Sequence, residues 1–591
     1  MRDVIVIGAG GGGLVVAKEL AARGLDVLLL EAGRRNADPE TEWTHFEHDA
    51  NNPITGFLRF GPEDRSKPDW FRELPQNALI WQVAGVGGTT THYFGNSPRA
   101  MPGVFQGYRG RDKKIYDRAH RFPFTYEALR PYYQWVEATL PVQTAAMGTN
   151  EEVFFQGAQA IGLPVQTTTD IIGDAFRPQE NAILQPGGNA GLSADASELI
   201  FPKATGCTFC GYCLEGCYEP IKAPRNLKAK RSTDNSYAPM ALTADLWSPG
   251  GKAVSLISNA FATRIHTDEE TGIKRTVRGV SWRDTVSGET FTEEAKVVVM
   301  AAGCVEDPRL WFNSGLPNPN GWVGRGFTDH AVDWVVGVFP FYTGMSRGPG
   351  SGARADFPGR GSIQNTTLPP GVNAFGLSFS DSGVRGGYDN GLGTTGNWDG
   401  PSGRALGNEI KEVMANLDNL MNLLILTDDD VEPQYHEQLS TLFFDEHGAV
   451  PKLIMPKRTR SARTLANREF LANKAADILR VAGATKVLRI DWPPLLMHVH
   501  SSMRMGISSK DSVLDANAEA RWVRRLFVAD NAALANALGG PNPTLTTQAL
   551  ATRTAEKIFR LYFDGDPWVG KESPISSIDD VITRAVMQSG L

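Results

Sequence analysis

The chain has 591 residues, of which 41% are hydrophobic and 21% charged, a balance typical of ordinary globular proteins. This composition excludes a disordered or fibrous chain, and the length suffices for several domains around a large core. The net charge of −7 argues against nucleic acid as the main partner, and no apolar run of about 18 residues predicts a membrane span. Because a predicted strand begins by residue 4, we expect no cleavable leader and a cytoplasmic protein.

The first predicted elements are a strand, a glycine-rich turn, a helix and a second strand. Gly8, Gly10 and Gly13 stand in the register G-x-G-x-x-G, and Glu31 ends the second strand. In this pattern the first glycine makes the turn, the second admits a pyrophosphate, and the third lets helix and strand pack closely, while the acid accepts the ribose hydroxyls. The unit therefore predicts a bound dinucleotide, NAD or FAD, and the ending at residues 31–33 is typical of flavoproteins.

A second glycine-rich segment covers residues 85–93. Gly87 and Gly88 would let the backbone lie against a flat ring or a diphosphate, and Thr91 and His92 follow them. We therefore expect this segment at the cofactor.

With these two segments the chain resembles the glucose–methanol–choline (GMC) oxidoreductases, FAD enzymes that oxidise alcohols, and in particular their pyranose oxidase and gluconate dehydrogenase branch. Further matching segments are residues 258–265, 297–304, 308–315 and 323–330. The resemblance implies an α/β (α+β overall) fold in which a Rossmann-type FAD-binding domain is interleaved with a substrate domain built on a large antiparallel sheet.

The same resemblance implies roles for single residues. Ala262 lies in the strand that meets the adenine, Asp530 ends a cofactor-binding strand, and His330 is structural. His92 is either bonded covalently to the flavin, as the matching histidine is in pyranose oxidase, or packed against the flavin edge.

The resemblance places the catalytic residues near the C-terminus. Residues 497–506 match the family's H-x-x-G-T-x-R-M-G, with Ser501 and Ser502 in place of Gly and Thr. This register makes His498 the catalytic histidine, not His500. Asn542 occupies the family's second catalytic position.

Alcohol oxidation explains why these residue types are needed. A neutral imidazole, with a pKa of about 6.5, can take the hydroxyl proton, and Asn542 can hold the hydroxyl over flavin N5. Pro543 and Thr544 begin a predicted helix, and we expect them at the cofactor, where the N–H groups of a helix start stabilise negative charge.

Four of the five cysteines lie in one short segment: Cys207, Cys210, Cys213 and Cys217. Their spacing is that of a bacterial ferredoxin run and suggests ligands of an iron–sulfur cluster, with unligated thiols or one local disulfide as alternatives. Zinc is less favoured, because structural zinc sites draw ligand pairs from separated segments. The basic residues that follow, 222–231, predict a solvated loop or, alternatively, a docking patch for an acidic electron acceptor.

The motifs are scattered, so we expect a discontinuous FAD-binding domain of residues 1–35, 80–100, 200–330 and 495–565. Residues 36–199 and 331–494 would build the substrate domain, and residues 566–591 a C-terminal extension. In that extension we expect an amphipathic helix, capped by Ser577 with Asp580, that packs on its own protein or on another subunit. Residues 380–407 would form either a lid over the substrate or a surface loop.

Together these observations predict an FAD-dependent enzyme that oxidises an alcohol CH–OH group, of a sugar, glycoside or polyol, with oxygen or a redox carrier as electron acceptor. One alternative is the flavoprotein subunit of an electron-transfer complex that acts on a non-sugar alcohol. Another is a flavin-dependent lyase or isomerase with no net oxidation. A homo-oligomer or a small partner subunit is compatible with each.

Overall fold

The structure is a computed structural model of the chain. It describes residues 1–36, 73–74, 78–80, 82–109, 116–185, 206–268 without 218 and 221, 274–378 without 331, 396–399, 407–455, 460–490 and 495–591. Its strands are β1 Arg2–Ile7, β2 Val27–Leu30, β3 Glu73–Leu74, β4 Ala78–Ile80, β5 Gln143–Thr144, β6 Ala175–Pro178, β7 Glu180–Asn181, β8 Ser255–Ile257, β9 Ala260–Thr267, β10 Arg275–Asp284, β11 Thr290–Met300, β12 Val332–Val338, β13 Ala353–Phe357, β14 Gly361–Thr366, β15 Leu420–Thr427, β16 His436–Asp445, β17 Gly448–Ile454, β18 Lys486–Ile490, β19 Leu495–Leu496, β20 Val523–Arg524 and β21 Leu526–Val528. Its α-helices are Gly13–Ala21, Tyr126–Thr139, Thr149–Ala160, Tyr237–Leu242, Ala244–Trp247, Glu306–Asn313, Pro370–Ser378, Asn408–Ala415, Ala462–Val481, Thr544–Tyr562 and Asp580–Gln588.

The larger sheet has eight strands in the order β20-β10-β11-β1-β2-β8, with β21 beside β11 and β9 beside β10. β1 runs parallel to β2 and β11, and β21 runs parallel to β11. Residues 4–7 and 297–300 are buried apolar runs, as expected of strands covered on both faces. Because the carboxyl ends of parallel strands share one edge, the turns after β1, β11 and β21 meet there.

The second sheet has six strands in the order β18-β12-β15-β14-β13-β6, and every pairing is antiparallel. Helix Ala462–Val481 covers one face, where Leu471 and Leu479 pack against Ile425. Leu424 and Trp334 belong to the apolar cluster on the other face. The two sheets confirm the predicted fold class.

The C-terminal helix covers Asp580–Gln588 and packs on its own protein, where Ile582 and Val586 contact Met240. Its predicted cap is wrong: the side chain of Asp579, not that of Ser577, accepts the backbone N–H of Val581. Asp579 precedes the first helical turn directly, so its carboxylate reaches an N–H group that the helix itself leaves unbonded.

None of the helices described here is both long enough and apolar enough to cross a membrane. The predicted lid at residues 380–407 lies outside the described residues, except for 396–399 and 407. The division of the chain into interleaved domain segments stays a prediction.

Candidate active site

A cavity of about 280 Å³ is lined on one side by the turns after β1, β11 and β21 and on the other by residues of β14 and β15. We call the part formed by those three turns and their neighbours the cofactor end. We call the other part the substrate end; its lining residues are Tyr93, Phe94, Asn96, Leu214, Gln364, Leu424, Met497, His498 and Asn542.

At the cofactor end the two glycine-rich segments touch each other. A Cβ added to Gly88, whose φ is +51°, would lie 2.8 Å from Cα of Gly10, and a Cβ added to Gly13 would lie 1.9 Å from the carbonyl oxygen of Gly8. A Cβ on Gly10 would meet only Gly88, at 3.9 Å, so the rest of its surroundings is open. This cradle fits a pyrophosphate that approaches the backbone, as FAD requires.

Two buried carboxylates hold the turns of the cofactor end in place. Glu31 accepts the backbone N–H of Ala9 at 2.7 Å and of Gly33 at 2.9 Å, and burial raises its pKa to about 7. Asp530 accepts the N–H of Gly303 at 2.6 Å, and burial raises its pKa above the usual range of a carboxyl group. Both side chains line the cavity, where Glu31 is placed to accept ribose hydroxyls.

A stacked pair of rings that the sequence analysis missed lies beside Ala262. His447, from the turn between β16 and β17, stacks on Phe261 with ring centroids 3.9 Å apart and planes at 8°. Arg309 lies over Phe261 and forms a 2.6 Å ion pair with Asp445 of the same hairpin. Phe261, His447 and Arg309 line the cavity, whereas Asp445 does not. The hairpin is remote in sequence from β9, which carries Phe261, and it matches no motif.

At the substrate end, His498 and Asn542 line the cavity together, whereas His500 is fully buried outside it. The chain bends at His498, so the side chains of His498 and His500 do not point the same way as they would in a straight strand. The carbonyl oxygen of the Asn542 side chain is buried and has no hydrogen-bond partner. Helix Thr544–Tyr562 begins directly behind it, with Pro543 and Thr544 on the cavity wall.

His330 determines which nitrogen of His498 is a base. Nε2 of His330 lies 2.9 Å from the carbonyl oxygen of Ala537, which can only accept, and Nδ1 lies 3.0 Å from Nδ1 of His498. Burial lowers the pKa of His330 to about 4, so this ring is neutral and its Nδ1 is an acceptor. His498 therefore donates from Nδ1 and keeps the lone pair on Nε2. Burial also holds the pKa of His498 well below 6.5.

His92 lines the cavity at the end of the short helix Gly88–His92. Its Nδ1 donates to the carbonyl oxygen of Leu214 at 2.9 Å, and burial lowers its pKa to about 4. Nε2 is therefore the nitrogen with the lone pair, which is the form that a bond to the flavin needs.

Three of the predicted cofactor residues lie behind the cavity wall. Gly13 packs against Gly8, Gly87 caps the short helix, and the hydroxyl of Thr91 donates to the carbonyl oxygen of Gly88 at 2.8 Å. They shape the turns rather than line the cavity.

The cysteine segment does not support the iron–sulfur prediction. In the described part of the chain, no group of three or more His, Cys, Asp or Glu side chains is placed to hold a metal ion, and all five cysteines are free thiols. Burial, with the other cysteines nearby, raises the pKa of Cys207 to about 12 and that of Cys213 well above 9. These thiols are protonated at neutral pH.

The basic segment after the cysteines is solvated only at its start, where Lys222 is exposed and Arg225 is half-buried. Lys228, Lys230 and Arg231 are buried. Nζ of Lys230 donates to the carbonyl oxygens of Thr91 and Tyr93 at 2.8 and 3.0 Å. Lys230 thus braces the end of the second glycine-rich segment.

Comparison with known proteins supports the family and the cofactor. Two family models described as GMC oxidoreductase match residues 171–332 and 480–551, and one described as FAD binding domain matches residues 3–43. The chain is 26% identical to 2-methyl-1,2-propanediol dehydrogenase of Mycolicibacterium austroafricanum over 95% of its length and 96% of that protein's. It is 25% identical to the fructose dehydrogenase large subunit of Gluconobacter japonicus, over 94% of this chain and 97% of that protein. It is 24% identical to paromamine 6'-oxidase of Streptomyces fradiae, over 94% of this chain and 91% of that protein.

Solved structures show the same fold. Pyridoxine 4-oxidase from Mesorbium loti superposes with a TM-score of 0.58 at 16% identity, over 96% of this chain and 100% of that one. Formate oxidase superposes with a TM-score of 0.59 at 13% identity, over 95% of this chain and 99% of that one. The family models and the full-length relatives, together with the glycine cradle, lead to one conclusion: the chain belongs to the GMC oxidoreductase family and is an FAD-dependent oxidoreductase.

Proposed function

We propose that the protein oxidises a CH–OH group of a small polyol or sugar, with His498 as the base and Asn542 as the residue that orients the reacting hydroxyl. One observation carries this proposal: a neutral histidine with its lone pair on Nε2 and a buried amide with an unpaired oxygen line the cavity that holds the cofactor cradle. Relatives named for a diol, for fructose and for paromamine support a hydroxylated substrate.

The residues of the substrate end act on the hydroxyl proton. Nε2 of His498 accepts it, and the resulting imidazolium keeps its Nδ1–H bond to the neutral ring of His330. The side chain of Asn542 hydrogen-bonds the same hydroxyl and fixes its direction. Bound FAD supplies the hydride acceptor at flavin N5.

The cofactor would be held mainly by backbone. Gly8, Gly10 and Gly88 would form the cradle for the pyrophosphate, Glu31 would accept ribose hydroxyls, and Ala262, which also lines the cavity, would lie at the adenine. Asp530, Pro543 and Thr544 would face the flavin half of the cofactor, where the N–H groups at the start of helix Thr544–Tyr562 would stabilise negative charge.

Purified protein should be yellow, with one FAD per chain, and an alcohol should bleach the flavin without oxygen. Folded, colourless protein that FAD does not reconstitute would contradict the cofactor assignment. A flavin that no alcohol or sugar in a broad screen reduces would favour the lyase or isomerase alternative.

The same preparation tests the electron acceptor and the role of His92. Hydrogen peroxide formed during turnover identifies oxygen as the acceptor, whereas dye reduction without peroxide identifies a redox carrier and favours a partner subunit. Acid precipitation that leaves the yellow colour with the protein identifies a bond between His92 and the flavin; we expect release of FAD.

A further inference from the structure

Asn96 and Gln364 form a buried amide pair at the substrate end. The two side chains are 2% and 0% exposed, and both line the cavity. Nδ2 of Asn96 donates to Oε1 of Gln364 at 3.0 Å. Gln364 lies on β14 opposite Leu424 of β15, so the pair sits on the wall formed by the six-stranded sheet.

The pair leaves one acceptor and one donor unused. Neither Oδ1 of Asn96 nor Nε2 of Gln364 has a hydrogen-bond partner, although both atoms are buried. A buried polar atom without a partner is unfavourable, so such atoms on a cavity wall indicate a ligand that completes their bonds. If both amides were rotated, the two atoms would exchange roles and the pair would still offer one donor and one acceptor.

The substrate end is also uncharged. Among the described residues that form it, none carries a formal charge, because His498 is neutral at pH 7. The charged lining residues, Glu31, Glu306, Arg309 and Asp530, belong to the cofactor end. A carboxylate or an ammonium group of a ligand would therefore lack a counter-charge here. A hydroxyl, which both donates and accepts, fits the pair.

We infer that Asn96 and Gln364 bind a second, non-reacting hydroxyl of the substrate, which donates to Oδ1 of Asn96 and accepts from Nε2 of Gln364. The substrate is thus a neutral polyhydroxy compound, a diol, polyol or neutral sugar, rather than a sugar acid or an amino sugar. This inference rests on the proposed function and specifies its substrate class.

The test uses ligands that differ by one hydroxyl: 1,2-propanediol with 1-propanol, and D-glucose with each of its monodeoxy analogues. For the wild type we expect one analogue to have a KM at least about tenfold higher than that of its parent. This is the range of the effect when a hydrogen-bonded hydroxyl is lost. Gln364→Met and Asn96→Leu should raise KM for the parent by about tenfold, change kcat less, and remove the preference over that analogue.

Leu424→Met is the matched control, because it alters the same wall without removing a polar atom and should preserve the preference. A Gln364→Met variant that retains FAD and still prefers the parent by the wild-type factor would overturn the inference. If no alcohol reduces the wild-type flavin, the proposed function fails instead. In that case, calorimetry measures how tightly D-glucose and its deoxy analogues bind to the wild type and to Gln364→Met. If all these affinities are equal, the inference is overturned.

Discussion

The two ends of the cavity are built in different ways. The cofactor end consists of backbone turns after neighbouring parallel strands, and its carboxylates are engaged: Glu31 and Asp530 each accept two backbone N–H groups. The substrate end consists of side chains from distant segments, and Asn96, Gln364 and Asn542 keep buried polar atoms without partners. Backbone N–H groups thus fix the carboxylates of the cofactor end, whereas the side-chain amides of the substrate end reserve hydrogen-bonding capacity for a ligand.

The largest effect should come from removing the base of the substrate end. His498→Ala should keep FAD bound and lower the rate of flavin reduction by about 10²–10⁴-fold, the range for losing a general base. Stopped-flow reduction by the best alcohol of a screen measures it.

His500→Ala is the matched control. It removes a histidine two positions away that is buried outside the cavity, so reduction should stay close to wild type even if stability falls. Slow reduction in His500→Ala beside normal reduction in His498→Ala would show that the register is wrong.

This contrast also separates what the sequence could predict from what it could not. The cofactor end follows from local rules, since glycine spacing and an acid at a strand end describe turns that neighbouring strands bring together. The rings of Phe261 and His447, or the amides of Asn96 and Gln364, meet only after two sheets pack. No local pattern marks them, and charge alone misled the interpretation of Lys230, which is buried against carbonyl oxygens.

A second, smaller effect should follow from releasing the tautomer of His498. His330→Leu removes the acceptor for Nδ1–H, so either nitrogen of His498 can carry the proton, and flavin reduction should slow by roughly 10–100-fold, as for other partners that orient a histidine. His330→Gln should recover most of the rate, because an amide can donate to Ala537 and accept from His498. If both variants are equally slow while retaining FAD, His330 does not act through the tautomer.

The pH dependence of the same step tests the environment of the base. Burial lowers the pKa of His498, so the neutral form that accepts a proton persists below pH 6.5. The kcat/KM for the alcohol, measured with saturating FAD, should stay constant as the pH falls through about 6.5. At lower pH it should decline by about tenfold per pH unit. A decline that begins above pH 7 would contradict a desolvated base.

At the cofactor end, a side-chain truncation should act on binding and not on chemistry. His447→Ala removes the ring stacked on Phe261, and the loss of such a stack should weaken FAD binding by about 2–10-fold. Titration of apoprotein with FAD measures this, and flavin reduction in the saturated variant should match wild type. Slower reduction at saturation would mean that the two ends are not independent.

The smallest effect should come from relieving backbone strain, because the two ends of the cavity place different residue types at left-handed positions. In the cofactor cradle the left-handed positions are glycines, as at Gly8 with φ +101°, whereas the catalytic loop places Ser501 at φ 72° with a buried, unpartnered hydroxyl. Ser501→Gly removes both the strain and the unpaired hydroxyl, so it should stabilise the fold by about 1 kcal/mol and raise the thermal midpoint by about 1–2 °C with FAD saturating. Ser502→Gly is the matched control: Ser502 is a buried neighbour that also has an unpartnered hydroxyl but has no positive φ, so glycine there relieves no strain and should raise the midpoint less than Ser501→Gly does. A lower midpoint for Ser501→Gly would mean that the serine at this position is held by packing that outweighs its strain.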